Sequence, residues 1–221
     1  MATRNNNAGP LLDAASLSFA EDFTHLPDQV RQAREDALVA GMQPVSTGVA
    51  AALTFLTRAL GAKAVVEVGT GTGATGLALL AGMDPEGVLT SLDSDADWQL
   101  EARAAFLRTG IEPRRFRLIA GAALDVLPKL RDAAYDLVLI DGDKLEYVEY
   151  VAQAIRLLRP GGILAVHDAL WRTMVANPRN DDDETVIIRE ALQVIQTNDD
   201  LVSLMIPLGD GLLVAVKGAA N

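Results

Sequence analysis

The 221-residue sequence contains no cysteine. That excludes disulfides, thiolate nucleophiles and Cys-ligated zinc or iron–sulfur centres. Histidine occurs only at positions 25 and 167, so imidazole chemistry has two candidates, and His25 reads as a surface or cover residue. Positive charge is scarce: 19 Lys and Arg stand against 30 Asp and Glu, a formal net charge of -11, with no basic run. Nucleic acid and anionic membranes require clustered Lys and Arg, so neither is an expected partner and a small molecule is. No apolar run reaches the roughly 18 residues that suggest a bilayer crossing. Met1–Pro10 is polar and lacks the apolar core of a signal peptide. With the missing cysteines, this gives the expectation of a cytoplasmic protein. No Pro/Gly/Ser-rich linker interrupts the chain, so a single domain over 1–221 is expected, with 1–10 frayed, 11–60 a helical cover and 61–218 the core.

Half the residues are hydrophobic, enough for a sizeable core. Short apolar runs at Ala64–Val68, Val88–Leu92, Phe116–Ala120, Tyr135–Ile140 and Ile163–Val166 read as strands. They alternate with helical patterns at Ala74–Met83, Ala96–Thr109, Ala122–Leu130 and Glu146–Leu158, the last stopped by Arg159-Pro160-Gly161-Gly162. This alternation implies βαβ units and a mostly parallel sheet covered on both faces. After a helix at Glu184–Thr197, two runs at Leu201–Pro207 and Leu212–Lys217 flank Leu208-Gly209-Asp210-Gly211 and read as an antiparallel hairpin. Leu12–Phe23, Asp28–Ala40 and Ser46–Leu60 read as helices preceding the sheet, and Trp171–Asp183 as a long lid-like or binding loop.

In open α/β sheets, ligands bind beyond the carboxyl ends of the strands. The first strand runs into Gly69-Thr70-Gly71-Thr72-Gly73, a turn that lets backbone approach a ligand closely. Gly71, Gly73 and Gly76 also satisfy the dinucleotide pattern G-x-G-x-x-G. Glu67 weighs against that reading. A carboxylate at a strand end repels a pyrophosphate but tolerates a cationic sulfonium or an ammonium group. Asp93 ends the second strand, where an acid accepts hydrogen bonds from ribose hydroxyls; its alternative role is to cap the next helix.

Val66-Glu67-Val68-Gly69-Thr70-Gly71-Thr72-Gly73 resembles the first motif of class I S-adenosylmethionine-dependent methyltransferases. Tyr135 to Lys144, ending Ile140-Asp141-Gly142-Asp143-Lys144, resembles the fourth-strand motif of the catechol and caffeoyl-coenzyme A O-methyltransferase family. Leu157 to Gly162 and Pro207 to Leu212 resemble its bacterial members, and the similarity spans roughly Met42 to Lys217. It implies a Rossmann-like seven-stranded sheet whose last strand is antiparallel, a helical N-terminal cover and a homodimer. It implies transfer of a methyl group from S-adenosylmethionine to a hydroxyl of a small aromatic vicinal diol. Carried over, Glu67, Gly69 and Gly73 line the methionine and ribose side, with Thr70, Gly71 and Thr72 in the same turn. Thr75 stands where the family often has a serine, Asp93 holds the ribose, and Gly121, Ala122 and Ala123 form the adenine wall. Met42 and Val45 pack over the cofactor, while Asp141 and Asp143 border it. Asp141 matches the first metal ligand and Lys144 the general base.

The sequence departs from the family after the fifth strand, where an Asp-Asn pair is replaced by His167-Asp168. Imidazole suits manganese or another transition metal better than magnesium. Three roles for His167 stand open: a ligand beside Asp141 and Asp168, a base in a metal-free enzyme, or a hydrogen-bonded remnant of a decayed site. The alternatives to a methyltransferase are a nicotinamide-dependent oxidoreductase using the same turn and a cofactor-binding protein without catalysis.

Overall fold

The computed structural model describes residues 13–218. The expected frayed segment Met1–Pro10, and Leu12 of the first helix, lie outside them. Three helices come first: α1 (Ala14–Asp22), α2 (Asp28–Val39) and α3 (Thr47–Leu60). Asp13 caps α1 by accepting the Ser16 N–H at 2.8 Å. Ser46 caps α3 through Val49 N–H, and Gly61 ends it in a left-handed conformation.

The core alternates β1 (Ala64–Val68), α4 (Ala74–Gly82), β2 (Val88–Asp93), α5 (Ala96–Arg108), β3 (Phe116–Ala120), α6 (Ala123–Val126), β4 (Tyr135–Ile140), α7 (Tyr147–Leu157) and β5 (Leu158–Val166). It closes with α8 (Asp183–Gln196), β6 (Leu201–Ile206) and β7 (Leu212–Lys217). The strands form one sheet in the order β3-β2-β1-β4-β5-β7-β6. Its first five strands pair in parallel, and β7 inserts antiparallel between β5 and β6.

Period-two alternation divides the sheet between two cores. Val65, Leu89, Leu137 and Leu139 face α3, α4 and α5. Val66, Val68, Val138 and Ile140 face α7 and α8. Two expected boundaries shift. The helix expected over Ala122–Leu130 is α for four residues and then a 3-10 turn at Leu127–Lys129, because Pro128 cannot continue an α-helical ladder. The segment expected to separate α7 from β5 is absorbed into β5. Leu158 already pairs with Tyr135, and the register shifts before Leu137 meets Ile163. Among the described residues no helix is long and apolar enough to cross a membrane.

Candidate active site

Parallel register brings the site together. Val68 pairs with Ile140, and Ile140 with Val166. The next residues of these strands therefore emerge side by side: Gly69, Asp141 and His167. Backbone bonds continue past the strand ends, from Asp141 N–H to Val68 O at 2.8 Å and from His167 N–H to Ile140 O at 3.0 Å. Gly69 has φ +96°, and a Cβ there would fall 2.1 Å from the Asp141 carbonyl oxygen. Only glycine fits that position.

A cavity of about 560 Å³ opens beyond these strand ends. Met42, Val45, Gly69, Thr70, Gly71, Thr72, Thr75, Asp93, Ala122, Ala123, Asp141 and Asp143 line it, with Lys144 and Asp168 at the same wall. Glu67, Gly73 and Gly121 do not. Gly73 lies against Phe106 and Ala102, its role being the helix start rather than the wall. Glu67 points beneath the turn on the Val65 face and is completely buried. Its Oε2 accepts from Ser91 Oγ at 2.5 Å, Ser91 Oγ lies 2.6 Å from Thr70 Oγ1, and Gln99 Nε2 donates to Thr70 Oγ1 at 2.8 Å. Glu67 Oε1 has no partner among the described residues. Burial, followed by the charges of Asp141 and Asp93, pushes the Glu67 carboxyl up to about 8 against the pull of the Ser91 hydrogen bond.

Asp93 braces the same turn from above. Its Oδ2 accepts Thr70 N–H at 3.0 Å and Gly71 N–H at 2.9 Å, and Oδ1 accepts Asp95 N–H at 3.0 Å. The capping alternative fails, because Asp95 caps α5 through Asp97 N–H. Sequence reading missed Trp98, Tyr150, Glu146, Gln43 and Pro44 on this wall. Trp98 carried a usable signal, being one of two tryptophans and lying in the first turn after the acid of β2. Tyr150 donates to Glu146 across one helical turn.

At the other end of the cavity, ligand atoms of Asp141, His167 and Asp168 lie within 4.8 Å of one another. His167 Nδ1 is 2.8 Å from Asp141 Oδ1 and 3.3 Å from Asp168 Oδ1. Lys144 Nζ is 2.9 Å from Asp168 Oδ2 and 3.7 Å from Asp141 Oδ1, and sits 4.9 Å from the Tyr147 ring centroid. Burial disfavours charge on His167. The charge and hydrogen bond of Asp141, joined by Asp168, outweigh burial and an opposing Lys144, so its pKa lies above 6.5. Two carboxylates and one imidazole form a donor set that fits a divalent transition metal. His25 is exposed and belongs to neither wall.

A second cavity, of about 630 Å³, shares Asp141, Asp168, Gln43 and Pro44 with the first and adds His167, Trp171, Arg172 and Arg34. The two cavities meet at the acidic cluster. A sheet with β7 reversed, a glycine turn after β1 and two cavities joined at the β4 and β5 ends define a Rossmann-like methyltransferase architecture.

The family profile described as O-methyltransferase matches residues 18–218. A Mycobacterium avium protein bearing an O-methyltransferase name is 42% identical over 215 residues, covering 97% of this chain and 95% of its own. A crystal structure from Corynebacterium glutamicum superposes with a TM-score of 0.84 at 29% identity, covering 92% of this chain and 96% of that one. Cofactor-bound Rv0187 from MTB gives 0.82 at 28% identity, covering 96% and 100%. The chain belongs to the O-methyltransferase family, whose members are S-adenosylmethionine-dependent enzymes. That assignment displaces both the nicotinamide oxidoreductase and the non-catalytic alternative.

Proposed function

We propose that this enzyme binds S-adenosylmethionine in the cavity beside Asp93 and the glycine turn. It methylates a hydroxyl of a small, catechol-like acceptor in the adjoining cavity. The junction of the two cavities at Asp141, Lys144, His167 and Asp168 carries this reading. Methyl transfer is an in-line displacement, so the acceptor oxygen must be held close to the methyl carbon and stripped of its proton. Asp93 has accepting capacity left for ribose hydroxyls, and Trp98 offers an aromatic wall near it. Ala122 and Ala123, which line the cavity, stay assigned to the adenine side and Asp143 to the rim, while Gly121 acts from behind them, its N–H donating to Asp93 O at 2.8 Å. Glu67 and Gly73 act from beneath the turn.

Asp141, His167 and Asp168 would hold a divalent metal, with manganese or another transition metal preferred to magnesium because one donor is a nitrogen. Such an ion supplies Lewis acidity toward a vicinal diol. In this reading Lys144 Nζ receives the hydroxyl proton after losing its own. One observation favours a second reading: the His167 Nδ1–Asp141 contact of 2.8 Å resembles the pairing that orients a catalytic imidazole, leaving Nε2 as the base.

The homodimer is also part of the proposal. Among the described residues helix α1 buries none of its own, and Phe19, Phe23 and Phe55 are exposed. A monomer mass in solution well above micromolar concentration would overturn it. For the chemistry, the test is a titration with S-adenosylhomocysteine and with NAD, followed by turnover of a catechol panel. Binding of S-adenosylhomocysteine and methylation of a catechol are expected. NAD binding alone would refute the reading.

A further inference from the structure

The acceptor cavity carries a positive feature that methyl transfer to a neutral diol leaves unused. Arg34, on α2, and Arg172, beyond β5, both line it. Neither guanidinium has a carboxylate within salt-bridge distance among the described residues. This occurs in a chain where acids outnumber bases 30 to 19. Arg34 is partly buried and pre-positioned: Nε donates to Val45 O at 2.8 Å and Nη1 to Thr47 Oγ1 at 3.0 Å. Its Nη2 has no hydrogen-bond partner among the described residues.

Arg172 is presented by an unusual backbone. Trp171, Arg172 and Thr173 have φ of 42°, 52° and 67° in succession, and Asp168 has 55°. Non-glycine residues in this region carry strain that a surrounding structure must hold. The hairpin turn before β7 holds it here. Both Asp210 carboxylate oxygens accept Arg172 N–H at 2.7 Å, Leu170 N–H donates to Asp210 O at 2.9 Å, and Ala169 N–H to Gly211 O at 3.1 Å. The result places the Arg172 guanidinium 5.2 Å from the Trp171 ring centroid, while Lys144 Nζ lies 5.6 Å from the same centroid. An indole flanked by the catalytic cation and a free guanidinium suits a planar acceptor with its hydroxyls at one end and an anion at the other.

We propose that the acceptor is a catechol bearing a carboxylate, with the carboxylate bound by Arg172 and Arg34 in the cavity beside Trp171. The inference rests on the O-methyl transfer reading above. A monoanion is favoured over a phosphate because Asp210 lines the same cavity and repels a second negative charge.

The test is calorimetric titration of the full chain with 3,4-dihydroxybenzoate, its methyl ester and 3,4-dihydroxyphenylphosphonate, with and without saturating S-adenosylhomocysteine. The acid is expected to bind about tenfold tighter than the ester, which corresponds to ~1.4 kcal/mol. The gap should shrink as salt rises. Arg172→Gln and Arg34→Gln should each remove most of it. Equal binding of acid and ester, no binding of either, a gap that survives both substitutions, or tighter binding of the phosphonate would overturn the proposal. Arg172 is exposed, so its variant decides the matter if Arg34→Gln perturbs folding. Failure of S-adenosylhomocysteine to bind would instead strike the cofactor reading, and the acid–ester comparison without it would still stand.

Discussion

Replacing Glu67 by glutamine is expected to stabilise the fold at neutral pH and to flatten its pH dependence. The carboxyl is completely buried, keeps one oxygen without a partner, and titrates near 8 rather than 4.5. In the unfolded chain it ionises at its ordinary value. Between those limits the native state holds a proton that the unfolded state has released. The group's contribution to stability is therefore full below about pH 4.5, declines as pH rises, and is lost once pH passes about 8. Each unit of pKa difference corresponds to about 1.4 kcal/mol, so roughly 3 kcal/mol has gone by pH 7. Glutamine ionises in neither state. Its carbonyl oxygen can accept from Ser91 as Oε2 does, and its amide nitrogen takes the place of an oxygen that already lacks a partner. The substitution should therefore gain roughly 2–3 kcal/mol at pH 7 and little at pH 4.5, a rise of about 5–10 °C in midpoint for a chain of this size. Urea unfolding of both proteins from pH 4.5 to 8.5 measures the gap. Parallel curves, or a variant less stable at every pH, would refute the argument that Glu67 is held protonated.

Gly69→Ala should weaken S-adenosylhomocysteine binding at least tenfold or cost about 1–3 kcal/mol of stability, since its Cβ meets the Asp141 carbonyl at 2.1 Å; a variant indistinguishable from wild type by titration and unfolding would contradict the close approach. Asp93→Ala should weaken the same ligand by about 1–3 kcal/mol, because the Thr70 and Gly71 N–H groups lose their shared acceptor along with the proposed ribose contact; unchanged affinity by calorimetry would remove Asp93 from the site. His167→Ala should abolish manganese loading, while His167→Asp restores loading and shifts preference toward magnesium; full activity in chelator, insensitive to Asp141 or Asp168 changes, would leave no role for a metal. Because a ligating imidazole must be neutral, manganese loading should fall as pH drops, and the carboxylates that raise the His167 pKa should make the fall begin at a higher pH than for an ordinary imidazole; loading that is flat from about pH 8.5 to 5.5 by metal analysis would contradict the ligand role.

Most strands could be read within a residue because each is a mostly apolar run, as a doubly covered sheet requires, even where a charge such as Glu67, Arg117 or Asp136 stands inside it. Helix ends were less legible where one residue overrules a pattern: the apolar spacing of Ala122–Leu130 continues through Pro128, but the α-helix does not. The family resemblance implied that the last strand is antiparallel, but the place of β7 between β5 and β6 was not read from the sequence. A short loop dictates a hairpin but does not say which of its strands reaches the sheet.

Glu67 shows where reading along a chain and reading across a sheet diverge. As the charged residue near the end of β1 it looks like a ligand contact. Yet strand alternation places it on the face of Val65, under α4, where a Cβ on Gly76 would lie 3.2 Å from its Oε2. Val68, one residue on, is the β1 side chain that reaches the cavity wall. The pattern of two was available in the sequence, but which face carried α4 was not. Asp141, Lys144, His167 and Asp168 are the opposite case. They follow two strands whose registers are set by their apolar lengths, so strand boundaries alone bring them to one edge. Arg34 had no comparable signal. It lies on a helix before the sheet, and its place in the acceptor cavity depends on how α2 packs through Val30, Ala33 and Ala37. That docking is tertiary information, carried by neighbours distant in sequence. The cavity proposed for the cofactor is thus written locally, at strand ends. The cavity proposed for the acceptor is assembled from segments whose meeting only the folded chain reveals.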